Sequence, residues 1–367
     1  MLDLALETPP QSSRPVHADS RRVPADPARW RAADVRPNEA WRHVVGPGER
    51  DEILEAVSSS RAAGVALEAV SRESFPLPTL GARLEGIRRQ VVDGPGFALV
   101  RGMPIDALDR EGVCRAWLGV GSWLGVPRPQ NRAGHLVGHV YDLGEDARDP
   151  ATRLYRTSAR QRFHIDSCDL VGLLCLRPAR RGGASSICSS VAVVDAIGQA
   201  RPDLAEVLAQ PFVYDRKGEV PAGKGPWYAM PIVHRFAGRT SVFFARDFIE
   251  SAQARFPDVP RLTPSQIEAL DLVERLAESD EFRLDMAFEP GDMQFLHNHV
   301  VLHARSAYED WTDAARKRHL LRLWLWPYGA RPLPAAFAER YGTVEPGRPR
   351  GGIAVPGARP HVPLAPS

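Results

Sequence analysis

The chain has 367 residues, of which 44% are hydrophobic and 25% charged, and its 47 basic and 45 acidic residues give a net charge of +2. This balance is typical of a globular protein and gives no electrostatic indication of nucleic-acid binding. No apolar run reaches the roughly 18 residues of a membrane-spanning helix, and we expect no signal peptide. Four cysteines are too few for a disulfide scaffold, which favours a reducing cytoplasm.

Composition divides the chain into three parts. Residues 1–40 are rich in Pro, Arg, Ser and Asp without an apolar period, which predicts a partly irregular N-terminal arm. Residues 41–342 mix helical and strand patterns and are predicted to form one domain. Residues 343–367 carry repeated Pro and Gly, which predicts an irregular tail laid over the body of the protein.

Helices are predicted at 51–63, 107–123 and 264–278, and a short strand at 97–101. The last helix has the clearest start signal, because Thr263 can cap it, Pro264 suits its first position and Gln266 completes a capping box. Its predicted apolar stripe comprises Ile267, Leu270, Val273 and Leu276.

The second half of the chain contains several short strand patterns, at 241–245, 283–288, 292–296 and 319–326. Short strands separated by turns, with helices added outside them, predict a mixed α+β fold. Its core would be a double-stranded β-helix (jelly roll) with flanking helices.

The first candidate site is the segment Arg162-Phe-His-Ile-Asp-Ser167, in which His164 and Asp166 stand two residues apart. If this segment is a strand, both side chains point to the same face, where an imidazole and a carboxylate can chelate a divalent metal. A His-x-Asp pair arises by chance in many chains, so alone it is weak evidence for a metal site.

The second candidate site is segment 289–310, in which a Pro-Gly turn precedes a strand pattern and three histidines, His297, His299 and His303. Each could be a surface or core histidine. One of them could instead join the earlier His-x-Asp pair to form the facial triad of two histidines and one carboxylate that suits non-haem Fe(II) oxygenases. A jelly roll can return this late strand beside the early one.

The third candidate site is segment 316–327. In a strand, Arg318, Leu320, Arg322 and Trp324 would share one face, and His319, Leu321, Leu323 and Leu325 the other. The two arginines would lie about 13 Å apart at roughly 3.3 Å per residue. Because a buried guanidinium needs an anionic partner, each either pairs with an internal carboxylate or grips a ligand carboxylate.

Together and in this order, the three segments resemble the taurine dioxygenase-like family of Fe(II)- and 2-oxoglutarate-dependent oxygenases, from about Phe97 to Trp326. The resemblance rests on His-Ile-Asp at 164–166, Gly-Gly-Ala-Ser at 182–185, Gly-Asp-x-x-Phe-x-x-Asn at 291–298, His303 and the Arg-x-x-x-Arg pair at 318 and 322. Each motif is weak alone, but their order and spacing make a strong joint signal.

The resemblance implies that His164, Asp166 and His303 are the metal ligands. It implies that Arg318 holds the C5 carboxylate of 2-oxoglutarate with Ser185 as hydroxyl partner.

Two alternatives stay open for that grip. Ser186 would replace Ser185 if the register is off by one residue. Arg316 would compete with Arg318, since the interval after His303 is slightly longer than in taurine-type members. His297 and His299 fall outside the family pattern and are interpreted as structural.

The family's chemistry implies Fe(II), O2 and the co-substrate 2-oxoglutarate, which is converted to succinate and CO2 while an unactivated C–H bond is oxidised. Hydroxylation is the default outcome, with desaturation, epoxidation or ring closure as variants. Asp166 disfavours halogenation, because related iron halogenases lack this carboxylate.

Arg322 matches the position that holds an acidic group of the substrate in taurine-type members. The substrate is therefore expected to be a small anionic, amino-acid-like metabolite. Gln130 and Arg162 are further candidate substrate contacts. Neither nucleic acid nor a membrane is expected as a partner, and a homo-oligomer is compatible with the sequence.

Two other interpretations compete. A zinc site could use His164 with Cys168, Cys175 and Cys188, but their spacings match no familiar zinc motif. A non-catalytic metal- or ligand-binding jelly roll is the second, although such a protein would not need a metal triad beside an arginine.

Overall fold

The structure is a computed structural model that describes residues 26–366. Its α-helices are α1 (Ala32–Val35), α2 (Pro47–Ala62), α3 (Leu80–Asp93), α4 (Arg110–Ser122), α5 (Ser190–Ala200), α6 (Pro202–Leu208), α7 (Arg246–Arg255), α8 (Pro264–Glu278) and α9 (Ala338–Tyr341). Its strands are β1 (Arg42–Val44), β2 (Phe97–Arg101), β3 (Gly125–Arg128), β4 (Val137–Val140), β5 (Gln161–His164), β6 (Leu170–Arg177), β7 (Arg181–Gly182), β8 (Ser185–Ser189), β9 (Pro211–Asp215), β10 (Trp227–Pro231), β11 (Val233–Phe236), β12 (Arg239–Val242), β13 (Leu284–Met286), β14 (Met293–His297), β15 (Val301–Arg305), β16 (Tyr308–Glu309) and β17 (His319–Pro327).

Two sheets organise the fold. The larger has the order β1-β2-β14-β6-β17-β3, and β4 pairs with β17 beside β3. The smaller is antiparallel, with the order β13-β8-β15-β5. Both orders bring strands together that are remote in the chain, so that β15 lies between β8 and β5. The predicted jelly-roll core with flanking helices is confirmed.

Three apolar layers explain why these strands form two sheets. Between the sheets, Phe97, Val171 and Leu296 of the larger sheet pack with Ile187 and Val301 of the smaller one. Helices α2, α3 and α4 cover the outer face of the larger sheet. Helices α5, α6, α7 and α8 cover the outer face of the smaller sheet. Strands buried on both faces explain the nearly continuous apolar runs of β6, β14 and β17.

Helix α8 shows how much local sequence determines. The Thr263 hydroxyl accepts a hydrogen bond from the Gln266 backbone, and the Gln266 side chain accepts one from the Thr263 backbone, as predicted. The predicted apolar stripe is partly wrong, because Ile267 is 43% exposed. The buried side of α8 is instead made by Ala269, Leu270, Leu272, Val273 and Ala277. Packing against α5 and α6 selects this side.

Both ends of the described range pack on the body. Trp30 and Trp41 lie against Phe97, with ring centres 5.0 and 5.6 Å away. In the C-terminal tail, Arg350 is buried and forms an ion pair of 2.6 Å with Asp169. The division into arm, domain and tail stays a prediction, and residues 1–25 of the arm lie outside the described residues. No helix among residues 26–366 is long and apolar enough to cross a membrane.

Candidate active site

Two histidines face each other across neighbouring strands of the smaller sheet. His164 at the end of β5 is directly opposite His303 in β15, and their ring centres are 4.2 Å apart. Asp166 follows two residues after His164, with a carboxylate oxygen 4.0 Å from His303 Nε2. One donor atom from each of these three buried residues lies within 4.8 Å of the others. The structure therefore brings together the three side chains predicted as metal ligands.

Strand alternation explains why these side chains share one face. Phe163 and Ile165, the neighbours of His164, pack into the apolar layer under α5 and α8. Leu302 and Ala304, the neighbours of His303, pack into the same layer. Since successive strand residues point to opposite faces, burial of these apolar neighbours turns both imidazoles toward the other side of the sheet.

The protonation states suit metal binding. Burial acts to raise the pKa of Asp166, but the charge of Arg322 and the neighbouring histidines lower it to about 2. Burial and, to a lesser extent, the nearby His164 lower the pKa of His303 to about 3. At neutral pH Asp166 is therefore ionised and His303 neutral, the forms in which a carboxylate and an imidazole bind a metal.

Hydrogen bonds orient the ligand atoms. His164 Nδ1 lies 2.9 Å from the Arg162 carbonyl oxygen, so it donates there and leaves Nε2 unprotonated. Asp166 accepts a hydrogen bond of 2.9 Å from Trp324 Nε1, and its backbone N–H donates to the Asn298 side chain. Two nitrogens and one carboxylate, with no fourth protein ligand among the described residues, suit Fe(II) with open coordination positions.

Arg318 is a buried cation with few partners. Its side chain is 3% exposed, and Nη1 has no hydrogen-bond partner among residues 26–366. Nη2 lies 3.4 Å from the Gly183 carbonyl oxygen, and the guanidinium is 5.1 Å from the centre of the Tyr308 ring. Burial lowers the pKa of Arg318 below its ordinary value. An anion beside this guanidinium would offset the cost of its burial.

Sequence reasoning missed two neighbours of Arg318. The Tyr308 ring, which Arg318 contacts, also lies 4.9 Å from the guanidinium of Arg305. The Nε and Nη1 atoms of Arg305 have no hydrogen-bond partner in the described part of the chain. The buried hydroxyl of Tyr308 also lacks one there. The only sequence signal for Arg305 and Tyr308 was their position a few residues after His303, on β15 and β16.

The two alternatives for the co-substrate grip lie outside this buried cluster. The Ser186 hydroxyl bonds to Asp285 on the exposed side of β8, and Arg316 is exposed and stacks on Trp311. Ser185 is buried, pairs with Arg305 across the sheet and lies 3.3 Å from Gln294 Oε1.

Arg322 is held by the protein in a way that Arg318 is not. Its Nη1 lies 3.2 and 3.3 Å from the two Asp166 oxygens, and its Nε donates to Gln130 Oε1 at 2.8 Å. The Gln130 amide nitrogen donates to two backbone carbonyls, those of Leu136 and Arg322. The side-chain amide of Gln130 thus positions Arg322, and a direct contact between Gln130 and substrate stays a prediction.

Arg162 also differs from its prediction. Its guanidinium bonds to Asp247 and Glu250 and lies 3.5 Å from Glu274. It lines a separate cavity with α7 and not the space beside the metal triad. Three protein carboxylates thus surround the Arg162 guanidinium, which was predicted to contact substrate.

The two other histidines of segment 289–310 and the three cysteines considered for a zinc site are buried. His299 lies 3.0 Å from Asp169 in the buried network that also holds Arg350, and His297 is fully buried beside it. Cys168, Cys175 and Cys188 are buried in different apolar layers. The structure thus provides no cysteine zinc site among residues 26–366.

The space beside the triad is lined by further charged groups that sequence reasoning did not select. His164, Asp166 and Arg322 share this pocket with Arg153, Lys217 and Phe248, among others. The available signal was the rarity of Lys217, one of three lysines among the 47 basic residues. A larger cavity of about 820 Å³ lies on the opposite face of β17, against His139 and His319.

The fold and triad define a class that comparison with known proteins identifies. Residues 61–324 match the family described as taurine catabolism dioxygenase TauD, TfdA family. The chain therefore belongs to this family of Fe(II)- and 2-oxoglutarate-dependent oxygenases, and the predicted enzyme class and cofactors are confirmed.

Three relatives are similar in sequence. FR-33289 synthase of Streptomyces rubellomurinus is 31% identical over 329 residues, which cover 87% of this chain and 95% of that protein. Taurine hydroxylase-like protein SAT17 of Stachybotrys chartarum is 28% identical, covering 74% and 71%. Uridine-5'-phosphate dioxygenase of an Amycolatopsis species is 27% identical, covering 46% and 62%.

Solved structures agree on the fold. Asparagine oxygenase with Fe(II), 3-hydroxyasparagine and succinate superimposes with a TM-score of 0.61 at 18% identity, covering 78% of this chain and 93% of that one. The non-haem iron oxygenase OrfP with Fe and alpha-ketoglutaric acid gives 0.59 at 16%, covering 81% and 98%.

Proposed function

We propose that His164, Asp166 and His303 bind Fe(II) and that the enzyme uses it to oxidise a C–H bond of a small anionic, amino-acid-like metabolite. The observation that carries the proposal is the convergence of these three side chains, with donor atoms within 4.8 Å of one another, in a family of dioxygenases. When bound, Fe(II) supplies the activation of O2 that no amino-acid side chain provides.

Arg318 is proposed to hold the C5 carboxylate of 2-oxoglutarate. Its buried Nη1 lacks a protein partner among residues 26–366, and Arg305 and Tyr308 add unpaired donors beside it. A carboxylate bound there would receive charge-assisted hydrogen bonds in a water-poor setting. Ser185 lies on β8, which pairs with the strand β15 that carries Arg305, and it stays the predicted hydroxyl partner of the carboxylate.

Arg322 is proposed to contact an acidic group of the substrate. Its Nε and Nη1 are used within the protein, which leaves Nη2 for a ligand in the pocket. Two structural neighbours were solved with hydroxylated amino acids, 3-hydroxyasparagine and (3S)-hydroxy-L-Arg. These support hydroxylation of an amino-acid-like substrate as the default reaction.

Two measurements test the proposal. Anaerobic titration of the purified protein with Fe(II) or Co(II) should give one ion per chain, and His303→Ala should abolish this binding. His361→Ala, which removes an exposed tail histidine, should bind one ion as the wild type does. Succinate release should then be measured with Fe(II), ascorbate and 2-oxoglutarate across a panel of amino and organic acids. Binding of metal that His303→Ala leaves unchanged would contradict the proposed triad.

A further inference from the structure

We propose that Arg305 is a positioning residue that couples the co-substrate site to one wall of the substrate pocket. One end of its guanidinium would bind the C5 carboxylate of 2-oxoglutarate together with Arg318, and the other end holds segment 154–159. The inference rests on the proposed function, because it takes Arg318 as the co-substrate grip. It predicts that 2-oxoglutarate makes this wall more rigid before any substrate is bound.

Strand β15 places Arg305 on the same face as the candidate metal ligand His303. The two residues are two positions apart, about 7 Å along the strand, and Leu302 and Ala304 pack toward the other side. Across the sheet, Arg305 is directly opposite Ser185, the predicted hydroxyl partner of the co-substrate carboxylate. The Arg305 side chain therefore lies on the side of the sheet that carries the metal triad.

One end of the Arg305 guanidinium is free for a ligand. Arg305 is 6% exposed, and its Nε and Nη1 have no hydrogen-bond partner among residues 26–366. The centre of the Tyr308 ring is 4.9 Å from the Arg305 guanidinium and 5.1 Å from that of Arg318. Buried donors without an acceptor cost free energy. A carboxylate beside the Tyr308 ring would accept hydrogen bonds from both guanidiniums and remove this cost.

Neither guanidinium is paired with a carboxylate of residues 26–366. Every carboxylate oxygen in this range is more than 4.0 Å from the side-chain nitrogens of Arg305 and Arg318. Asp142 and Asp310 lie in the surroundings of these arginines. Their carboxylates accept hydrogen bonds from backbone N–H groups, those of Gly144 and Arg318. The free Arg305 donors therefore stay available to a bound anion.

The other end of the Arg305 guanidinium is bound to segment 154–159. Its Nη2 donates to the carbonyl oxygen of Thr157 at 3.0 Å and to that of Ala159. The same nitrogen lies 3.4 Å from the carbonyl oxygen of Leu154. Three backbone carbonyls of one short segment thus meet at one nitrogen of Arg305.

Segment 154–159 forms part of the wall of the pocket beside the metal triad. Leu154 and Tyr155 line this pocket together with Arg322. The centre of the Tyr155 ring is 4.9 Å from the guanidinium of Arg322, which is the proposed substrate contact. A change in the mobility of this segment therefore changes the surface that a substrate meets.

The rigid geometry of the guanidinium links its two ends. The group is planar and holds its five N–H donors in a fixed arrangement. An anion that fixes Nε and Nη1 of Arg305 therefore also fixes Nη2 and the carbonyls bound to it. A residue needed only for folding would instead hold the segment equally with and without the co-substrate. Because coupling between two sites is reciprocal, a substrate that orders segment 154–159 should in turn tighten the binding of 2-oxoglutarate.

Hydrogen exchange of the backbone amides of segment 154–159 tests the coupling without a known substrate. The Fe(II)-loaded protein is measured anaerobically, alone and with saturating 2-oxoglutarate or 2-oxopentanoate. The second compound has the same carbon chain but no C5 carboxylate. We expect 2-oxoglutarate to slow the exchange about tenfold, the effect of one further charge-assisted hydrogen bond. 2-Oxopentanoate should leave the exchange unchanged.

Variants of Arg305 separate coupling from folding. Arg305→Met should still bind one Fe(II) per chain, but 2-oxoglutarate should no longer slow the exchange. Arg305→Lys is the second variant if the methionine variant does not fold, and it should also lose the slowing because one ammonium cannot serve both ends. Arg160→Met is the matched control, because Arg160 is an exposed neighbour of the segment that pairs with Glu278. It should retain the tenfold slowing.

The inference is overturned if 2-oxoglutarate leaves the exchange of segment 154–159 unchanged in the wild type, or if 2-oxopentanoate slows it equally. It is also overturned if the Arg305 variants retain the slowing, or if Arg160→Met loses it as they do. Failure of the proposed function is separate, since it would appear as missing Fe(II) or 2-oxoglutarate binding in calorimetric titrations made before the exchange is measured.

Discussion

Two arginines of one segment, Arg318 directly before β17 and Arg322 within it, are both buried but have opposite electrostatic surroundings. Each is at most 5% exposed. Arg322 contacts the Asp166 carboxylate and the Gln130 amide. Arg318 has no carboxylate within 4.0 Å among residues 26–366. Burial alone therefore does not assign a role; the internal partner does.

The comparison separates a cation whose charge the protein already balances, with one nitrogen left for substrate, from a cation whose charge only a ligand can balance. Arg322 balances Asp166 before any metal is bound. Arg318 would be neutralised only when an anion enters, which is expected of a co-substrate grip. Variants that exchange or remove these partners should therefore have different effects on stability and on catalysis.

Asp166→Ala would make Arg322 resemble Arg318, because it removes the carboxylate and leaves a second unpaired guanidinium. We expect the free energy of unfolding of the apo protein to fall by about 3 to 5 kcal/mol. The variant should also lose metal binding and, as a result, succinate formation. Denaturant unfolding and metal titration measure the two effects. Asp285→Ala, at a half-exposed carboxylate of β13, should stay within about 0.5 kcal/mol of the wild type.

Arg322→Met removes the other half of the same pair. The unpaired Asp166 carboxylate should destabilise the apo protein by about 3 kcal/mol. Fe(II) should restore part of this loss, because the metal supplies the missing positive charge. Equal loss in the apo and Fe(II)-loaded protein would contradict the assignment of Asp166 as a ligand. Arg348→Met, at an exposed tail arginine, serves as the control in thermal and chemical unfolding.

Arg318→Met should have the reverse pattern. The free energy of unfolding should be unchanged or higher, since no internal ion pair is lost and an unpaired buried charge is removed. The KM for 2-oxoglutarate should rise about 100-fold, the cost of truncating one partner of a buried charge pair. Arg316→Met, at an exposed site, should leave this KM unchanged. If Arg316→Met raised the KM instead, the grip would belong to that arginine.

Gln130→Leu tests the smallest difference between the two arginines. It removes the acceptor of Arg322 Nε without removing the ion pair, so we expect a loss of about 2 kcal/mol in the free energy of unfolding. The KM for 2-oxoglutarate should not change. The control is Gln199→Leu, at an exposed position near the end of α5. A selective rise in the KM for 2-oxoglutarate would contradict this interpretation, because it would show that Gln130 supports the co-substrate grip and not only Arg322.

Much of the site was predictable because its signals are local. The alternation along β17 predicted that Arg322 and Trp324 share one face, and both donate to Asp166. The opposite face, with Leu321 and Leu323, packs under the helices of the larger sheet. Strand period and helix caps depend on short stretches of sequence, and motif order depends on the chain alone. All three can therefore be recognised without knowledge of the fold.

The roles of individual polar side chains were decided by contacts between remote positions. Gln130 was predicted to contact substrate, yet it binds Arg322, 192 positions away. Arg162 was given the same role, and its carboxylate partners come from α7 and α8, 85 or more positions later. No local pattern encodes which carboxylate will lie opposite a given guanidinium.

The sequence by itself predicted the jelly-roll class from short strand patterns, and the order of its motifs carried the resemblance that identified the family and implied the three candidate metal ligands. The tertiary structure alone decided which arginine is neutralised internally, which serine is buried and that Lys217 and Arg153 line the pocket. The physical reason is that the interaction energy of a charged group depends on its burial and on its nearest partners. Both are fixed only when distant strands and loops come together.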